Sequence, residues 1–254
     1  MAHNYLLLAK VGFAALTLLC LYLIVAGTRQ TFLRMGLSAQ AAAKRTWVVG
    51  AVLTGWLAVT SFMALSGFMG NFSRAPVNML PALLPPLLAV LVLTFHPRTQ
   101  DFIRHLPAKG LLALQAFRIP VEIFLWCLFL ANALPERLTF EGHNWDVLSG
   151  LAGPVFAVLC YGNGRRNHLL ASLYHLVGLA LLLNIVVMSV LSLPTPFQQF
   201  FDKPGADILV TFPFMVLPTF LVPLAYTLHF FSLRKAALEK KTAHTTPPHP
   251  TQMA

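Results

Sequence analysis

Gln115, Arg118 and Glu122 stand at i, i+3 and i+7 in an otherwise apolar stretch. At the pitch of an α-helix they share one face, within an arc of about 60°. A charged side chain at the centre of a bilayer costs at least about 2.5–3.5 kcal/mol, so this face must turn towards protein or water. Two readings follow. Arg118 and Glu122 are four residues apart, close enough to neutralise each other and lock a helix bundle. Alternatively, the pair lines a cavity for a solute or ion, with Arg118 holding an anion, Glu122 tuning it or carrying a proton, and Gln115 orienting the ligand.

Counting about 1.5 Å per residue places Arg118 near mid-membrane and Glu122 in the outer half. The same arithmetic puts Lys10, on the first apolar segment, near the level of Glu122, and Asn184 in the outer third of the sixth. If these helices adjoin, two positive charges face one negative, which favours an anionic or carboxylate ligand. The competing reading is that Lys10 snorkels to the interface. Between the fourth and fifth segments, Pro135–Asp146 is rich in polar and aromatic groups and could fold over such a cavity. Its Glu141, His143 and Asp146 suit a divalent ion chemically, but an ordinary solvated loop has the same composition.

A second set consists of His96, His175 and His229, with His168 seven residues before His175. Depth counting puts these three towards the cytoplasm, where imidazoles on separate helices could hold zinc or haem. Single histidines that bond to a neighbouring helix are the competing reading. His244 and His249 belong to a polar tail. Cys20, Cys127 and Cys160 fall within apolar runs, as small packing residues do. The chain has no phosphate-binding glycine loop, His-Glu-x-x-His, Gly-x-Ser-x-Gly or dinucleotide fingerprint. No cofactor is specified.

The elements that must position these residues follow from composition. The chain has 254 residues, 57% hydrophobic and 10% charged, with a mean hydropathy of +0.71. A soluble domain would carry about 25% charged residues. Lipid demands about 20 apolar residues per helical crossing. Seven stretches qualify: Tyr5–Gly27, Trp47–Met69, Val77–Phe95, Leu111–Leu134, Trp145–Tyr161, Leu169–Leu193 and Ile208–Phe231. The first has no basic region before it and reads as an uncleaved helix, not a signal peptide. The fifth is the shortest and carries Gly153-Pro154 near its middle. Pro81, Pro85, Pro86, Pro213, Pro218 and Pro223 add kinks to the third and seventh, and no internal repeat is evident.

Most of the 18 basic residues fall in the loops after the first, third and fifth segments and in the tail. The positive-inside rule makes that side cytoplasmic. The expected fold is therefore all-α: a polytopic integral membrane protein with a seven-transmembrane-helix bundle, N-terminus outside and C-terminus cytoplasmic. Residues 1–233 form the bundle, and 234–254 form a basic, then Pro/Thr/His-rich disordered tail. The net charge of +10 is accounted for by this bias and does not imply nucleic acid. Thr31–Arg45 and Arg98–His105 read as short interfacial helices. The expected location is a cell membrane, as in the bacterial inner membrane, with the lipid bilayer as the principal partner.

Seven crossings invite comparison with rhodopsin-like receptors, but the diagnostic residues differ. The last segment has no lysine for retinal, and Val222-Pro223-Leu224-Ala225-Tyr226 keeps only the Pro and Tyr of the receptor motif. Three functions stay open. The leading one is binding or transport of a small anionic solute around Arg118 and Glu122. The others are a histidine-based metal or haem enzyme, and a non-catalytic sensor or assembly subunit.

Overall fold

The computed structural model describes the backbone of residues 1–245 and the side chains of residues 1–240. The chain is all-helical, with no strand among the described residues. In order, the helices are α1 (Ala2–Arg34), α2 (Ala39–Leu65), α3 (Leu80–Phe95), α4 (Gln100–His105), α5 (Ala108–Ala113), α6 (Arg118–Leu130), α7 (Val147–Tyr161), α8 (His168–Ser192) and α9 (Val222–Thr245). Among the described residues, four helical stretches are long and apolar enough to cross a membrane: α1, α2, Ala108–Leu130 and α8. A fifth joins them if α3 is counted with Pro97–His105, from which it is bent by 74°.

Three sequence expectations change in detail. Thr31–Arg45 is not a separate interfacial helix: Thr31 ends up inside α1, and α2 starts at Ala39, where the Ser38 side chain accepts from the Ala41 amide. The fifth segment forms only the 15 residues of α7, about 22 Å of helix against a hydrocarbon core of about 30 Å. Pro154 sits within it without ending it. In the seventh, Ile208 lies in a 3-10 turn, and regular helix resumes only at Val222. The boundary expected at residue 233 falls inside α9; residues 246–254, including His249, lie outside the described residues.

Proline chemistry explains two irregularities that shape the interior. Pro120 has no N–H and its ring would crowd the carbonyl four residues back. The chain tightens into a 3-10 turn over Leu114–Phe117 and restarts as α6 at Arg118. Pro218 likewise lies within a π turn over Leu217–Leu221, and Pro223 follows just after it. Because Pro223 cannot donate to the Thr219 carbonyl, that oxygen is free, and Trp56 Nε1 of α2 donates to it at 3.0 Å. A neighbouring helix thus satisfies a carbonyl that lipid could not.

The core lies among α1, α5–α6, α7, α8 and α9. Phe13 of α1 is fully buried and meets Phe124 at 5.6 Å and Phe214 at 5.8 Å between ring centroids. The outer surfaces are apolar: Trp47 is 75% exposed and Phe62 72%. Such a surface suits lipid and is costly in water. Cys20, Cys127 and Cys160 are free thiols buried in the packing. At the far end of α9, the buried Lys235 donates to the Arg104 carbonyl and pairs with Glu239 at 3.0 Å. The contact with Arg104 pins α9 to α4.

Candidate functional site

The break before α6 sets the register of the polar face. Gln115 lies in the 3-10 turn, Arg118 opens α6, and Glu122 follows one turn later. All three are buried, at 0%, 2% and 3% exposure. Gly153 of α7 makes the close approach possible. A Cβ there would lie 2.6 Å from the Leu112 carbonyl oxygen, 3.0 Å from Gln115 Cβ and 3.0 Å from the Tyr174 hydroxyl. Without a side chain, α7 rests directly on the α5–α6 segment.

That contact brings the start of α7 to Arg118. Arg118 Nη1 donates to Asp146 Oδ1 at 2.8 Å, and both side chains are buried. The expected i, i+4 pairing of Arg118 with Glu122 gives way to this tertiary pair. Glu122 Oε1 instead accepts from Asn144 Nδ2 at 2.6 Å. Asn144 also donates to the Leu138 carbonyl, while its own carbonyl oxygen accepts from the Asp146 amide. The loop before α7 therefore enters the bundle and presents one partner to each charge on α6.

Tyr174 and His175 of α8 extend the network. The Tyr174 hydroxyl donates to the Ser149 carbonyl at 2.8 Å. His175 Nδ1 and His229 Nδ1 share a hydrogen bond at 2.9 Å, with ring planes at 83°. Both rings are almost wholly buried. At Gly178 a Cβ would meet His229 Cε1 at 2.5 Å, Ser149 Oγ at 2.7 Å and His229 Nε2 at 3.0 Å. Ser149 and His229 therefore converge on one point of α8.

Depth counting separated an outer charged set from an inner histidine set, and the structure joins them. The arithmetic assumed straight helices, whereas the α5–α6 segment and the approach to α9 are both irregular. Several buried polar atoms in this network have no protein partner: both amide atoms of Gln115, Arg118 Nε and Nη2, Glu122 Oε2, Ser149 Oγ, and Nε2 of both histidines. A buried polar group left unpaired costs about 1–3 kcal/mol.

The other expected site residues lie elsewhere. Lys10 is exposed on α1. Asn184 is exposed on α8, and its Nδ2 donates to the His143 carbonyl at 3.0 Å. His96 caps the end of α3, where its Nδ1 accepts from the Arg98 amide. The three-histidine set is thus not assembled, because α3 ends away from the α8–α9 contact. No group of three His, Cys, Asp or Glu residues placed to hold a metal occurs among the described residues. Ser149 and Tyr174 are not among the expected site residues, and Asn144 enters the expectation only as part of the Pro135–Asp146 loop. A polar residue just ahead of a glycine-rich apolar helix was the available signal.

A second ion pair closes the loop end of the bundle. Arg137 Nε donates to Asp202 Oδ2 at 2.6 Å, and its guanidinium lies 4.2 Å from the Phe200 ring centroid. The hydrogen bond from Arg137 holds the Asp202 carboxyl below the usual carboxylate range. A cleft of about 390 Å³ lies beside this clasp, lined by His143 and Lys203 among others.

The family model described as Domain of unknown function (DUF8737) matches residues 75–237. The match contains every residue of the buried network, from Gln115 to His229, and the chain belongs to that family. No curated protein and no solved structure matches the chain.

Proposed function

We propose that this member of the DUF8737 family is a multi-pass membrane protein that binds and moves a small polar solute at the Arg118 network. The carrying observation is the concentration of unpartnered buried polar atoms on α5–α6, α7, α8 and α9. A bundle that needed only packing would be better served by apolar residues of the same volume. Donors predominate on the Arg118 side: Nε and Nη2 of Arg118 with the Gln115 amide. They fit oxygen acceptors, as in a carboxylate or another small anion. Glu122 supplies an acceptor opposite them.

The seven-crossing topology belongs to this reading, with α7 and the residue 208–231 segment as the irregular crossings. The loop-charge bias puts the N-terminus outside and the C-terminus in the cytoplasm. A bacterial inner membrane suits the reading. In that orientation the residue 131–146 loop is an outer plug over the network.

A second reading, a non-catalytic sensor or assembly subunit, is favoured by the closed Arg118–Asp146 pair at 2.8 Å. Purified protein and an Arg118→Gln/Asp146→Asn double variant, which removes both members of the ion pair together, discriminate the two. Thermal-shift and proteoliposome uptake assays with a panel of small carboxylates should give a response in the native protein and lose it in the variant. Identical responses in both would refute the solute reading.

A further inference from the structure

We propose that His175 and His229 form a two-ring proton relay, making the solute site proton-coupled. The coupling rests on the solute reading above, whereas the relay itself stands on ring geometry. Two neutral imidazoles can approach Nδ1 to Nδ1 at 2.9 Å only if one nitrogen carries the hydrogen and the other offers its lone pair. The rings must therefore hold opposite tautomers. The ring with Nδ1–H has a lone pair at Nε2, and its partner has Nε2–H. Both Nε2 atoms are buried without a protein partner, so one end of the pair accepts a proton and the other end donates one.

The transfer balances without any redox partner. A proton bonds to the Nε2 lone pair of the first ring. That ring's Nδ1–H bond breaks, and the proton passes to the facing Nδ1. The second ring then releases its Nε2 proton, so one proton enters, one leaves, and the two tautomers exchange. His229 Nε2 and Ser149 Oγ face the same point at Gly178, and Ser149 is one turn from Asp146. The relay thus adjoins the Arg118–Asp146 pair.

The groups around the rings suit passage more than storage. Arg118 and Glu122 face the network from α6, Asp146 from the start of α7, Tyr174 from α8 and Tyr226 from α9. A positive Arg118 repels a proton held on either ring across a low-dielectric interior, while the rings' shared hydrogen bond keeps the transfer distance short.

The relay is tested in two ways. First, ¹⁵N NMR of histidine-labelled full-length protein in lipid should show one of these two rings protonated at Nδ1 and the other at Nε2. The same tautomer on both would overturn the relay and needs no variant that might misfold. Second, proteoliposomes with a trapped pH dye and an imposed potassium diffusion potential, with and without an added carboxylate gradient, should show a proton flux that falls at least tenfold in His175→Gln and His229→Gln. No flux above protein-free liposomes, or full flux in both variants, would overturn it. Carboxylate uptake without proton flux would remove the relay alone, and proton flux without uptake would remove the solute reading alone.

Discussion

Arg118 and Asp146, 28 residues apart in sequence, form a buried ion pair at 2.8 Å. The pair ties the first residue of α6 to the residue that precedes α7. Breaking one side of such a pair leaves a lone charge in low dielectric, at a cost of about 3–5 kcal/mol, whereas replacing both sides by apolar groups is often neutral. Arg118→Met and Asp146→Leu alone should each lower the melting temperature in detergent sharply. The double variant should recover most of the loss. A double variant no better than either single one would mean that the pair does not act as a unit.

This pair also marks the limit of what the sequence discloses. The apolar segments are legible because lipid imposes their length and composition, and the polar face of Gln115, Arg118 and Glu122 is legible because helical spacing is fixed. The partner of Arg118 is not. Local spacing favours Glu122, and only the folding back of the residue 131–146 loop supplies Asp146 and Asn144. The histidines were legible by type, but their meeting with each other and with Ser149 was not. Pro120 tightens the turn before Arg118, and the π turn before Val222 shifts the register leading to His229.

Trp56 and Thr219 give a prediction about how α2 is held. The Trp56 indole donates to a carbonyl that Pro223 leaves free. Trp56→Phe keeps the aromatic bulk but removes the donor, so it should cost about 1–3 kcal/mol. Protease accessibility of the turn between α1 and α2 should rise in parallel. Replacing Pro223 by Ala in the same chain restores a backbone donor for Thr219 and should recover part of the loss. No recovery would show that the two groups are not alternatives for one carbonyl.

The Arg137–Asp202 clasp predicts a pH window. Arg137 holds the Asp202 carboxyl below its ordinary value, so Asp202 contributes to closure while it is ionised. That contribution is complete above the unfolded carboxylate value of about 3.9 and is lost as pH falls through the lowered folded value. Spin labels at Glu141→Cys and Phe201→Cys should report one narrow distance distribution through neutral and mildly acidic pH. The distribution should broaden only in strong acid. Asp202→Asn should broaden it at every pH, and a distribution indifferent to that substitution would show that the clasp does not hold the loops.

Gly178 lies where α8 meets both Ser149 and His229. A methyl group there would come within 2.5 Å of the His229 ring and 2.7 Å of Ser149 Oγ, and neither is the far end of a flexible chain. Gly178→Ala must therefore push the His229 ring aside, at the cost of about 1–3 kcal/mol typical of overpacking. The displacement acts on the His175–His229 hydrogen bond before it reaches Arg118, which is held separately by Asp146. The variant should stay folded, keep carboxylate-induced thermal stabilisation and lose the complementary histidine tautomers in ¹⁵N spectra. Tautomers unchanged from those of the native protein would show that α8 yields at this point and that Gly178 does not position the ring.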